Sequence, residues 1–265
     1  MSRIFPIASS SSGNCTYIGC RTDGILVDAG VSCKCITDAL AQIAVDPKTL
    51  RGVFITHEHI DHIQGLRVFT KKYKVPVFTS GVTALALLNA VPEIEDDLHI
   101  IDAPVGVGEM EVRRFNTSHD CDGSSGYVFH LPDGKKCAVC TDLGYVSAEV
   151  RLALTGCQAL LFESNHDVAM LQKGSYPFHL KTRILSDKGH LSNIACSAEL
   201  PNLVDNGLTR IVLGHLSREN NRPEIARSTA TAALMDKKMV EDSDYTLYIA
   251  PPKCGKAIIF KARAE

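Results

Sequence analysis

Short β-branched and aliphatic runs open the chain: RIFPIA, CTYIG and GILVDAG, separated by the polar clusters SSSSGN and RTDG. Apolar runs of this length bounded by turn residues read as strands. A helix is expected over roughly 34–44, then the strand GVFIT (52–56), which runs directly into HEHIDH. Beyond it the pattern predicts a helix near 64–74, the strand VPVFTS and a helix at 81–90. EMEVRRFNT, GYVFHL and KKCAVCTD make a second strand-rich block. The last third alternates: strand QALLFES, a helix, strand LTRIVLG, a helix at 223–237, and finishing strands YTLYIA and KAIIF. Two blocks of mixed strands followed by helices predict two sheets packed face to face with helices outside, a four-layer αββα sandwich of the α/β class. No linker rich in Pro, Gly or Ser and no periodic repeat interrupts it, so residues 1–265 are expected to form a single domain.

Composition narrows the class. With 45% apolar and 22% charged residues in 265, the chain has the make-up of an ordinary soluble globular protein. Its longest apolar runs are strand-sized, too short to span a bilayer. The opening MSRIFPIASSSSGN lacks the extended apolar segment of a secretory signal, so a cytoplasmic protein without a membrane partner is expected. Ten cysteines include CKC and CAVC, spacings that raise zinc or redox chemistry. In the strand KKCAVCTD, however, residues three apart point to opposite faces and cannot close a chelate. Reduced, buried thiols are the expectation. A net charge of −2 gives no global attraction to nucleic acid. The short basic stretches at 70–74, at Lys181, Arg183 and Lys188, and at Arg218, Arg222 and Arg227 read as solvated faces.

The chemistry begins at THEHIDH, which places His57, His59, Asp61 and His62 in an HxHxDH pattern. A strand end leading into a loop aims His57 and His59 at one ion, and the following turn brings Asp61 and His62 to a second. Neutral imidazole and carboxylate are the ligands a hydrolytic Zn²⁺ or Mn²⁺ pair requires. Two ions need more ligands than these four residues supply. His119 after EVRRFNTS, Asp142 after CAVCT and His215 after LTRIVLG each stand at a strand end, with Gly144 read as allowing a tight turn beside Asp142. His99 and His130 lie inside strand patterns and read as surface or packing residues.

HxHxDH, then an isolated His, then TD after a strand, then a His after a late strand resembles the metallo-β-lactamase superfamily over residues from about 4 to 221. The resemblance implies one metal on His57, His59 and His119, another on Asp61, His62 and His215, and Asp142 bridging both. Asp28 in ILVDAG would support the metal loop without ligating. Two divalent ions are implied, Zn²⁺ or Mn²⁺, with iron or a mixed pair as further options. Flavodiiron oxygen reductases carry Glu where this chain has His59, and glyoxalase II and lactonases share HxHxDH. SSSSGN, SHD (118–120), FESNHD (162–167), GHLSN (189–193) and GHLSRENN (214–221) occur together, a combination similar to the YycJ/WalJ group. That likeness implies a DNA exonuclease of 5′-to-3′ polarity. The chain also resembles ribonuclease Z, which by analogy makes His190 the general acid and Glu163 its orienting partner. The stretch between Asp142 and His215 is too short for the large inserted domain of the β-CASP nucleases, and nothing resembles a protruding tRNA-binding arm.

Phosphodiester hydrolysis needs a nucleophile, charge neutralisation and a proton for the leaving oxygen. A metal-bridging hydroxide and the two ions would supply the first two, with Asp61 counted among the catalytic residues as well as the ligands. A histidine titrating near neutral pH suits the third. LSN after His190 reads as a helix start, capped by Ser192 or Asn193. Candidate substrate contacts are Ser12 and Asn14 in the Ser-rich loop, His166, Asn193, and Arg218 and Asn220 after His215. The expectation is a dinuclear phosphodiesterase acting on nucleic acid, DNA in preference. Its alternatives are a small-molecule metallo-hydrolase for a lactone, thioester or cyclic nucleotide, and a non-catalytic metal-dependent binding or regulatory protein. A narrow closed cleft would favour the small molecule, whereas a groove lined by Arg218 and Lys181 would favour a polymer.

Overall fold

The computed structural model describes residues 2–20, 23–253 and 257–259. Strands β1 (Arg3–Ala8), β2 (Cys15–Gly19) and β3 (Gly24–Val27) form an antiparallel meander. Strands β4 (Leu50–Phe54), β5 (Val77–Thr79) and β6 (Leu98–Ile100) then add in parallel. Their crossovers carry α1 (Cys33–Gln42), α2 (Ile60–Ile63), α3 (Leu66–Tyr73) and α4 (Gly81–Ala90). In the second sheet β7 (Val105–Val107), β8 (Met110–Asn116), β9 (Ser125–His130) and β10 (Lys136–Cys140) pair antiparallel. After them β11 (Ala159–Glu163), β12 (Arg210–Gly214) and β13 (Thr246–Ile249) extend the sheet in parallel. Helices α5 (Ala148–Leu154), α6 (Val168–Lys173), α7 (Phe178–Ile184), α8 (Asn193–Asp205) and α9 (Pro223–Asp236) lie in these crossovers. The short β14 (Ile258–Ile259) returns to the first sheet beside β1.

Strand alternation sorts the side chains into layers. In β3, Ile25 and Val27 face the second sheet, while Leu26 joins Ile36 and Phe69 under α1 and α3. In β10, Cys137 and Val139 lie between the sheets, whereas Ala138 and Cys140 pack with Val150 and Leu200 of α5 and α8. Phe54, Tyr127 and Phe129 fill the space between the sheets. The αββα sandwich expected from the sequence is present. Cys137 and Cys140 point to opposite faces, and no disulfide forms among the described residues. No described helix is long and apolar enough to cross a membrane.

Some details differ from the reading of the chain. β7 escaped it because it is three residues long with no periodicity to see, whereas β6 carries His99, which was read inside a strand pattern. The single helix expected between QALLFES and LTRIVLG is three: α6 stops at Gly174, α7 starts after Pro177, and the stretch 185–192 separates α7 from α8, which starts after Ser192. Lys256 and Phe260 of KAIIF, and Arg21 and Thr22 of RTDG, lie outside the described residues.

One consequence of the topology places the site. The strands β1, β3, β4, β8, β10, β11 and β12 all end at one edge of the sandwich. Ser9, Asp28, His57, His119, Asp142, Glu163 and His215 are at or just beyond those ends.

Candidate metal centre

Three strand exits share an uncommon backbone. Asp28, Asp142 and His215 have φ of 61°, 60° and 54°, the left-handed region that non-glycine residues seldom occupy. Each follows its strand within two residues; Asp142 and His215 meet at the sheet edge, and Asp28 pairs with His62. Asp28 accepts from Thr56 N (2.9 Å) and lies 2.8 Å from His62 Nδ1, tying the HxHxDH loop to β3. Gly30 seats the same loop from behind: a Cβ there would lie 1.6 Å from the Asp61 carbonyl oxygen. Gly144 serves close approach rather than the expected tight turn. Asp142 takes the left-handed conformation, and a Cβ at Gly144 would come 2.4 Å from the Asp187 backbone.

Histidines 57, 59 and 119 converge with Cys121, and Asp61, His62 and His215 form a second group. Within each group the donor atoms lie within 4.8 Å of one another. His57 Nε2 is 3.1 Å from His59 Nδ1, and His215 Nε2 is 3.6 Å from Asp61 Oδ2. Asp142 lies between the groups, with Oδ2 3.5 Å from His62 Nε2 and Oδ1 3.9 Å from His119 Nε2.

This donor set fits a pair of divalent cations. His119 Nε2, Asp142 Oδ2 and His215 Nε2 are buried without a hydrogen-bond partner. Each such orphan costs about 1–3 kcal/mol unless something satisfies it. The opposite ring nitrogens are anchored: His119 Nδ1 to the Gly189 carbonyl (3.1 Å) and His215 Nδ1 to Glu163 (2.7 Å). Such an anchor fixes the tautomer and frees Nε2 as a ligand. Electrostatics agree. Burial alone would depress His215, but Asp142, Asp61 and Glu163 around it push its pKa up to about 10. His62 is raised in the same way against its burial, by Asp28 and Asp142. His57 moves well below the ordinary value because it is buried and faces other imidazoles. The cluster of buried carboxylates thus draws positive charge to itself, and cations would take the place of those protons.

Beside this cluster stands a second constellation. Glu163 is fully buried. Its Oε1 is 2.8 Å from His190 Nδ1 and 2.7 Å from His215 Nδ1, and its Oε2 accepts from Leu143 N (3.0 Å) and Leu191 N (3.1 Å). The expected Glu163–His190 contact is therefore made, but the carboxylate holds His215 as well. His190 sits between His119 and His215, with ring centroids 5.1 and 5.2 Å away and its side chain 18% exposed. Ser192, not Asn193, caps α8, accepting from Ala195 N at 3.1 Å.

The expected substrate contacts divide. Ser12 and Arg218 are exposed. Asn14 is buried, with Nδ2 3.2 Å from Asp61 Oδ2 and 3.1 Å from His62 Nε2, so it positions the metal loop instead of facing substrate. Asn193 is also buried. It exchanges amide hydrogen bonds with Asn221 (2.9 Å each way) and accepts from Ser164 Oγ (2.7 Å). Its role is to fasten the start of α8 to the loop after β12. Asn220 is 2% exposed and accepts from Asp167 N through its carbonyl. His166 is 1% exposed, has no partner at either ring nitrogen, and is pushed down by burial to about 4, so it is a neutral imidazole without open surface. Lys181 Nζ is engaged by the protein itself, donating to the carbonyls of Gln172 and Gly174.

Sequence reasoning missed several positioning groups. Ser9 Oγ accepts from His215 N (2.7 Å), and Asn165 Nδ2 donates to His215 O (2.9 Å). Cys121 Sγ lies 3.0 Å from His59 Nε2. Its position two residues after His119 was a usable signal, whereas nothing in a run of serines marks Ser9.

A model of the metallo-beta-lactamase superfamily matches residues 10–215. Exodeoxyribonuclease YycJ of Bacillus anthracis is 36% identical over 250 residues, which cover 93% of this chain and 94% of that relative. Exodeoxyribonuclease WalJ of Streptococcus pneumoniae serotype 2 (strain D39) is 36% identical over 251 residues, 93% of each chain. Among solved structures, the metallo-beta-lactamase fold protein YhfI of Bacillus subtilis superposes with a TM-score of 0.70 at 14% identity, covering 97% of this chain and 98% of that one.

Proposed function

Because the chain belongs to the metallo-β-lactamase superfamily and is a metal-dependent hydrolase, we propose that it is a nuclease that degrades DNA from an end. The names of YycJ and WalJ support a deoxyribonucleic acid substrate; 5′-to-3′ polarity is proposed on the sequence resemblance alone. His57, His59 and His119 would hold one ion and Asp61, His62 and His215 the other, with Asp142 shared between them. Two divalent ions bound there supply Lewis acidity toward the phosphate and a water of lowered pKa. The nitrogen-rich donor set suits Zn²⁺ or Mn²⁺.

The observation that carries the nuclease reading is the seat of His190. Glu163 takes the Nδ1 proton of His190 in a hydrogen bond, which fixes the ring and leaves Nε2 to exchange a proton. His190 is partly exposed beside the cluster, and a departing alkoxide oxygen needs the proton such a group carries. A lactone or thioester makes less demand for such an acid. Glu163 also keeps His190 and His215 in register, so acid and ligand share one carboxylate.

The test is incubation with end-labelled single- and double-stranded DNA and RNA in the presence of Mn²⁺, Zn²⁺ or EDTA, beside a lactone and a thioester. Progressive shortening of DNA that stops with EDTA is expected. Robust ester hydrolysis with every nucleic acid left intact would overturn the reading.

A further inference from the structure

One strand beyond His215, at the same sheet edge, lies a hollow of about 380 Å³. Leu216, Ile249, Pro251 and Pro252 give it an apolar wall, and Ser9, Arg218 and Arg222 stand on its polar side. The hollow is joined to the metal cluster through Ser9. That residue accepts from His215 N at 2.7 Å through its hydroxyl and donates to Pro251 O at 3.1 Å through its amide. A single residue thus fastens the backbone of an expected ligand and forms the wall of the hollow. Helix α9 starts at this rim, with Pro223 in its first turn and no side-chain cap from Arg222. Pro223 brings no N–H there and Glu224 adds a carboxylate to the first turn, so the positive character of the rim is that of Arg218 and Arg222.

Size and lining together select an occupant. Small-molecule sites span roughly 300–1,000 Å³, and this hollow stands at the small end: room for one nucleotide and too little for a length of duplex. An apolar wall with cations at its rim matches a flat base joined to a phosphate. Asn221 also lines the hollow, but its amide is committed to Ser164 O, Asn165 O and Asn193. The Ser10 hydroxyl is engaged by Ser12 and the Ser217 hydroxyl accepts from Asn220 N, so the uncharged side chains of the wall offer little hydrogen-bonding readout of base edges.

We infer that this hollow seats the terminal nucleotide of the DNA strand, its base against the Ile249–Pro252 wall and its phosphate toward Arg218 and Arg222. The inference rests on the nuclease reading and adds a product and a specificity to it. One nucleotide fills the hollow, so cleavage at the adjoining cluster releases mononucleotides. Contact through base faces makes that release tolerant of sequence.

Isothermal titration of the metal-loaded protein tests this, using the four deoxynucleoside 5′-monophosphates, with inorganic phosphate to report what the metals alone capture. The expected result is similar binding of all four and about tenfold weaker binding of phosphate. Pro252→Trp, which fills the apolar side, should weaken mononucleotide binding about tenfold while leaving phosphate binding as it was. Arg218→Glu should weaken the mononucleotides by a similar factor, and circular dichroism checks that both variants fold. Equal affinity for mononucleotides and phosphate in an enzyme that still degrades DNA would overturn this inference alone. Unchanged mononucleotide affinity in both folded variants would do the same. Base-dependent binding in a protein that degrades no DNA would overturn the nuclease reading, and the terminal-nucleotide role with it.

Discussion

Replacing Glu163 by Gln is the sharpest structural perturbation available, because every lone pair of that carboxylate is in use. Four donors converge on it: His190 and His215 on Oε1, and the amides of Leu143 and Leu191 on Oε2. A glutamine is almost isosteric but keeps one accepting oxygen. If that oxygen faces the imidazoles, its NH₂ confronts two backbone N–H groups; turned round, it confronts two ring nitrogens held as donors. Either way two donors lose their acceptor, at about 1–3 kcal/mol each for a buried group, so the cost is about 2–6 kcal/mol. Against a typical total of ~5–15 kcal/mol that is severe without being prohibitive. Urea unfolding should be run with chelator present, since a bound ion adds its own binding energy to the native state. A lowered midpoint corresponding to several kcal/mol is expected. A Glu163→Gln protein within about 0.5 kcal/mol of the parent would refute the reasoning, because that is the range of an uninvolved surface change.

Two further outcomes follow from the geometry. Asn14→Ala removes the amide beside Asp61 and His62, so affinity for the ion on that side should fall about 10- to 100-fold, read by competition with a chromogenic chelator. Unchanged affinity would show that Asn14 does not position those ligands. Asp23 supplies a pH dependence away from the metals: burial pushes its carboxyl up, but Arg51 (2.6 Å) and the Glu109 amide (2.8 Å) overrule this and hold it below the ordinary value. A lowered folded-state pKa gives stability that is complete above the unfolded value of about 3.9 and is lost as pH falls through the folded one. Asp23→Asn should therefore destabilise at neutral pH, with the gap to the parent closing below about pH 4 in urea titrations. A gap independent of pH would contradict the charge argument.

The parts of the site legible in the sequence are those carried by strand exits. HxHxDH is contiguous, and His119, Asp142 and His215 each follow an apolar run, so their convergence needed only the layer architecture. The burial of Asn14 was not legible because its partners Asp61 and His62 lie far along the chain, and a polar residue in a Ser-rich loop has no local mark of burial. The sharing of Glu163 between two histidines depends on the parallel register that sets Glu163 beside Gly214, which the letters do not reveal. The left-handed backbone at Asp28, Asp142 and His215 was hidden for the opposite reason: local propensity would place glycine there. Local rules failed where the site imposes its own geometry.

The role of His190 as the acid held by Glu163 is the centre of the account, and the leaving group reads it most directly. Single-turnover rates for the parent and His190→Ala, at equal measured metal content, should be compared on DNA and on a nitrophenyl phosphodiester whose leaving group departs without a proton. A loss of about 10²- to 10⁴-fold is expected on DNA and a far smaller one on the nitrophenyl diester. Equal losses on both, or near-parental cleavage of DNA by His190→Ala with both ions bound, would contradict it.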